Sequence, residues 1–120
     1  LKIIVADDSS FVRNIIVKSI KTNIENIEII SCVNGKEVWD CWDEHNPKWL
    51  VTDLLMPEMT GQELIKKLND AGKNPNVIVI SADIQKGTKE ELEALNIKHQ
   101  INKPLNPEKL QTLIDILGGA

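Results

Sequence analysis

The amino-acid sequence predicts an α/β domain of five strand–helix repeats, (βα)5, doubly wound with helices on both faces of a parallel five-stranded sheet. Three observations predict it. Short apolar runs alternate with amphipathic stretches along the chain, with no internal repeat and no low-complexity segment. The 120 residues suit one domain with a real core, here taken as 1–120. The polar residues that fit neither a core nor a helix surface all fall where a strand is about to end.

Residues 2–6 read as the first strand, and Asp7-Asp8-Ser9-Ser10 as the turn and cap after it. Phe11, Val12, Ile15, Ile16 and Ile20 recur at helical spacing with polar residues between them, so 10–22 is a helix. The second strand is 27–33. Asn34-Gly35 starts a helix over 35–45 with Val38, Cys41 and Trp42 on its inner stripe, and Pro47 separates it from a third strand, 48–53. Leu50 and Val51 are apolar in a short run, as in a strand buried on both faces. That run ends on Asp53, and Pro57 blocks an immediate return to regular structure. Thr60 caps a helix over 61–70, with Glu63 completing a capping box and Leu64, Ile65 and Leu68 inward. Residues 76–80 form the most hydrophobic and so the central strand, with Ser81-Ala82-Asp83 as its exit. A short helix over 88–95 carries Leu92 and Leu95, and Asn96 suits the left-handed position after it. A weak fifth strand, 98–102, is broken by Lys103-Pro104. The last helix, 107–117, has Pro107 in its first turn and turns Leu110, Leu113, Ile114 and Leu117 inward.

The composition excludes several classes. A net charge of −4 gives no basic face for nucleic acid. No apolar run approaches the roughly 20 residues of a membrane helix, and the first strand is too short and too soon acidic for a signal peptide. Cys32 and Cys41 form no C-x-x-C pair, and two buried thiols fit a cytoplasmic protein. The chain lacks an initiator Met and ends Gly118-Gly119-Ala120, as a domain cut from something longer would.

Ligands of parallel α/β sheets bind beyond the carboxyl ends of the strands. Asp7 and Asp8 follow the first strand, Asp53 ends the third, Ser81 the fourth, and Lys103 follows the fifth, so all share one rim. Crowded carboxylates hold either a proton or a cation. Oxygen-only ligands on an open rim favour Mg²⁺. A carboxylate nucleophile, a divalent cation, a lysine and a hydroxyl suit a tetrahedral dianion, and phosphoryl transfer asks mostly for such positioning and neutralisation. There is no Walker-type loop, so ATP is not the expected direct donor.

These residues resemble the receiver domain of two-component response regulators, including the single-domain chemotaxis regulator. The resemblance runs from Ile3 to about Leu117. It is carried by Asp7-Asp8, Asp53-x-x-Met56-Pro57-x-x-x-Gly61, Ser81-Ala82 and Lys103-Pro104 in order and spacing. The resemblance implies a flavodoxin-like strand order, 2-1-3-4-5. It implies that Asp53 is the phosphoacceptor, and that Asp8, Asp53 and the Leu55 carbonyl bind Mg²⁺, with Asp7 acting through water. Ser81, Lys103 and the amides of Leu55 and Ala82 would hold the phosphoryl group, and the Lys103–Pro104 bond would be cis. The implied donor is a histidine kinase or histidine phosphotransfer protein, and the implied output face is helix 4–strand 5–helix 5, with homodimerisation left open.

Two positions depart from the family pattern. Gln100 stands three residues before Lys103, where receivers usually carry Tyr or Phe, which puts output coupling in question. Leu55 is apolar where other receivers often place a polar group, and it is expected to shield the phosphate from water. Singly, each motif has a plainer reading: Asp7-Asp8 as a helix cap, Asp53 as a turn residue, Ser81 as a small strand-ending residue, Lys103 as a surface charge. Trp42 and Trp49 are expected in the core and Trp39 outside it; His45 and His99 are expected on the surface, and Lys86, Lys89 and Lys98 on a solvated face. Two other functions compete with the switch. A degenerate receiver would act as a phosphorylation-independent binding module, but no acidic or lysine residue is lost. A haloacid-dehalogenase-type phosphatase would carry D-x-D after its first strand and a cap domain, and here the two aspartates are adjacent.

Overall fold

A computed structural model describes residues 1–82 and 86–119, excepting the side chains of residues 86, 87 and 119. In chain order the elements are β1 (Lys2–Ala6), α1 (Ser10–Asn23), β2 (Glu28–Cys32), α2 (Gly35–His45) and β3 (Trp49–Thr52), followed by α3 (Gly61–Asp70), β4 (Asn76–Ser81), α4 (Lys86–Ala94), β5 (His99–Asn102) and α5 (Pro107–Gly119). All strand pairs are parallel and the order is β2-β1-β3-β4-β5, as the family resemblance implied. Asp83, read as part of the exit from β4, lies outside the described residues, as does the Lys86 side chain.

Alternation along the strands sends side chains into two cores. Ile4, Leu50 and Val79 meet α2, α3 and α4 through Val38, Trp42, Leu64, Leu68 and Leu92. Ile3, Val51, Ile78 and Ile80 meet α1 and α5 through Ile16, Ile20, Leu113 and Leu117. The middle strand of the five is β3, not the more hydrophobic β4 expected there, and every residue of β3 is buried, as a short strand covered on both faces requires. Burying each of Leu50 and Val51 stabilises by about 1.5–3 kcal/mol, which anchors the strand that ends at Asp53.

The helix ends follow local chemistry. The Ser9 hydroxyl accepts the Val12 amide, and Asn34 accepts the Glu37 amide. The Thr60–Glu63 box is complete in both directions. Asn96 has φ 64, the left-handed conformation expected after α4. The Lys103–Pro104 peptide is cis.

Several expectations are corrected. α4 starts at Lys86, two residues earlier than the periodicity suggested. Phe11 shares the helical spacing of α1 but is 74% exposed, while its neighbour Val12 in the same turn packs against the core under α1 and α5. Trp39 is half-buried: it packs against the α2–α3 core, with the Lys67 ammonium 4.5 Å from its ring centroid. Cys41 is half-buried while Cys32 is buried. His45 and His99 are half-buried, and the His99 ring rests 5.9 Å from that of Trp49.

Candidate phosphoacceptor site

Three of the rim residues are placed by the backbone ladder itself. The Asp7 amide donates to the Cys32 carbonyl at 3.2 Å, the Asp53 amide to Ala6 at 3.0 Å, and the Lys103 amide to Ser81 at 3.1 Å. Each is the next rung past its strand, so each side chain leaves the sheet at a set height.

The side chains converge. The Lys103 ammonium lies between two carboxylates, 2.8 Å from Asp7 Oδ2 and 2.7 Å from Asp53 Oδ2. The second oxygen of Asp7 accepts the Ser9 amide at 2.9 Å. The second oxygen of Asp53 accepts the Leu54 amide at 2.6 Å and the Leu55 amide at 3.4 Å. The Leu55 amide, expected to face a phosphoryl group, is thus turned towards Asp53 itself. Asp8 is exposed beside this pair, and one ligand oxygen each from Asp7, Asp8 and Asp53 lies within 4.8 Å of the others. Ser81 is fully buried at the end of β4, and Ala82 is exposed just beyond it.

Burial disfavours the ionised form of Asp7 and raises its pKa above 3.8, although the Lys103 and Ser9 hydrogen bonds pull the other way. Burial alone would lower Lys103, but Asp53 and then Asp7 outweigh it, and its pKa lies above 10.5.

The β3–α3 loop is held by residues the motif reading left unexplained. The Thr52 hydroxyl donates to the Asp53 carbonyl at 2.8 Å, and Met56 is buried in the core. A Cβ on Gly61 would meet the Asp53 carbonyl at 2.4 Å, so the loop closes only on a glycine there. Arg13 was missed altogether. Its guanidinium donates to the Asp7 carbonyl at 2.7 Å from the first turn of α1. The available signal was a basic residue one helical turn after an acidic pair.

A family profile described as the response regulator receiver domain matches residues 3–115. The chain belongs to that family. A chemotaxis protein CheY homolog of Campylobacter jejuni is 35% identical to it, over 98% of this chain and 93% of the relative. Chemotaxis protein CheY1 of Helicobacter pylori is 30% identical, over 99% of this chain and 98% of its own. Among solved structures, the receiver domain of the Francisella response regulator 1452 superposes with a TM-score of 0.83 at 27% identity, covering 97% of this chain and 94% of that one. The chain is therefore a receiver domain of the two-component, chemotaxis-regulator kind.

The donor set fits a hard divalent cation. It offers oxygen only, from three carboxylates, and one of them faces solvent, which leaves room for the waters Mg²⁺ retains. No described helix is long and apolar enough to cross a membrane.

Proposed function

We propose that this receiver is a phosphorylation-dependent switch whose phosphoacceptor is Asp53. The observation that carries the reading is the Lys103 ammonium between the carboxylates of Asp53 and Asp7, with Asp8 beside them. An Asp53 oxygen attacks the phosphorus of a phosphohistidine on a histidine kinase or histidine phosphotransfer protein. The P–N bond breaks and the imidazole leaves as the aspartyl phosphate forms. Asp8, Asp53 and the Leu55 carbonyl would hold Mg²⁺, with Asp7 acting through water. Bound there, the cation would neutralise charge on the transferring group.

The chain's own groups do the rest. Lys103 exchanges the Asp53 carboxylate for a phosphoryl oxygen while Asp7 keeps the ammonium in place. The amides of Leu55 and Ala82 and the Ser81 hydroxyl supply hydrogen bonds to the remaining oxygens. Leu55, 61% exposed two residues after Asp53, limits the approach of water and lengthens the phosphorylated state. The protein thus acts as a phosphoacceptor, not as a turnover enzyme, and works in the cytoplasm. A downstream protein reads the α4–β5–α5 face, and its differential affinity for the two states sets the size of the shift. Gln100 is half-buried in β5, so coupling to that face relies on an amide in place of an aromatic ring.

Intact mass after treatment with acetyl phosphate and Mg²⁺ tests the assignment. The parent should gain one phosphoryl group and Asp53→Asn none; an equal gain in both refutes it.

A further inference from the structure

The three carboxylates of the rim are not held alike. Asp7 has both oxygens answered, by the Ser9 amide at 2.9 Å and by Lys103 at 2.8 Å. Asp53 has both answered too, by the Leu54 amide at 2.6 Å and by Lys103 at 2.7 Å. Asp8 is exposed, and its carboxylate has no hydrogen bond or ion pair among the described residues. Its place depends on the backbone that carries it.

That backbone is gripped by Arg13. The ladder fixes the Asp7 amide, through the Cys32 carbonyl at 3.2 Å. The next peptide, Asp7–Asp8, lies past the sheet, and its carbonyl accepts the Arg13 guanidinium at 2.7 Å. A peptide is planar, so the Asp7 carbonyl and the Asp8 Cα turn as one body. Arg13 itself stands on a formed turn. Its amide donates to the Ser9 carbonyl at 2.9 Å, and the Ser9 hydroxyl accepts the Val12 amide at 3.3 Å. Arg13 is half-buried and has no ion pair among the described residues, so a carbonyl takes the place of an acid as its partner.

We infer that Arg13 is a positioning residue for the cation site: by clamping the Asp7 carbonyl it aims the otherwise unsupported Asp8 carboxylate at the place it shares with Asp7 and Asp53. The inference rests on the Mg²⁺ reading of that site. It predicts a sign that simple electrostatics does not. A guanidinium beside the acids repels a second cation through space, so on charge alone its removal would tighten Mg²⁺ binding. Loss of the clamp weakens binding instead, as loss of an outer partner does at other metal sites.

The test is titration of the ¹⁵N-labelled chain with MgCl₂ at constant ionic strength, read from the amide shifts of residues 8 and 53–55. The parent should show saturable shifts. Arg13→Met keeps much of the apolar stem and drops the donor, and should bind Mg²⁺ about tenfold more weakly. Arg13→Gln takes its place, with the same expectation, if that variant does not fold. Asp8→Asn should also weaken binding. Added to Asp8→Asn, the Arg13 change should weaken it no further, an outcome that general loosening of the fold does not produce. Equal or tighter binding in the Arg13 variant, or the same loss with and without Asp8→Asn, overturns the inference and leaves the cation site standing. No saturable shift in the parent, or an unchanged affinity in Asp8→Asn, overturns the cation reading and the inference with it.

Discussion

Replacing Lys103 by Gln leaves two nearly buried carboxylates facing each other. The side chains of Asp7 and Asp53 are 2% and 8% exposed, and the Lys103 ammonium now touches both. Removing one member of a buried ion pair costs about 3–5 kcal/mol. One escape caps that loss: a carboxyl can take up a proton. For a carboxyl with an ordinary pKa near 4, protonation at pH 7 costs about 1.36 kcal/mol for each of three units, or ~4 kcal/mol. At pH 5 the same step costs about 1.4 kcal/mol. Asp7 is the group that takes the proton, since burial already raises its pKa. Lys103→Gln should therefore lose about 3–4 kcal/mol at pH 7 but only about 1–2 kcal/mol at pH 5. Urea unfolding of parent and variant at both pH values measures this, and millimolar Mg²⁺ at pH 7 should recover part of the loss. A loss as large at pH 5 as at pH 7, or none at either, refutes the reasoning.

The same pair gives the parent an alkaline limit. The folded pKa of Lys103 is raised above 10.5, so its stabilisation is fully present below 10.5 and is lost as pH rises through the folded value. Stability scans above pH 10 should show that loss in the parent and not in Lys103→Gln. Asp7 runs the other way. Its raised pKa means the fold gains stability as pH falls through the folded value, so Asp7→Asn should be more stable than the parent at pH 7 by chemical denaturation. Gly61→Ala places a methyl 2.4 Å from the Asp53 carbonyl and 3.0 Å from Leu54 Cα, both backbone atoms that cannot simply swing aside. It should lose at least about 1–3 kcal/mol, read by thermal unfolding, and accept phosphate from acetyl phosphate more slowly. Leu55→Asn should shorten the lifetime of the phosphorylated state, read by loss of the phosphoryl mass; an unchanged or longer lifetime would count against shielding.

Asp7, Asp53 and Lys103 were legible in the sequence because each donates the rung after its own strand. A strand end is a local signal, marked by where an apolar run stops. In a parallel sheet, position along the chain then converts directly into position on the rim. Ser81 follows the same rule as the last residue of β4. Phe11 and Trp39 did not, because their exposure depends on what neighbouring elements place opposite them. Arg13 reaches the Asp7 carbonyl across a cap whose geometry no spacing states. The Leu55 amide turns to Asp53 because the loop is drawn tight by Gly61, a contact between backbone atoms that leaves no trace in apolar periodicity. The ladder therefore sets where the acids and the lysine stand. The loop packed on Gly61 sets how closely the Asp53 carboxylate is held, and that second constraint is the one Gly61→Ala isolates.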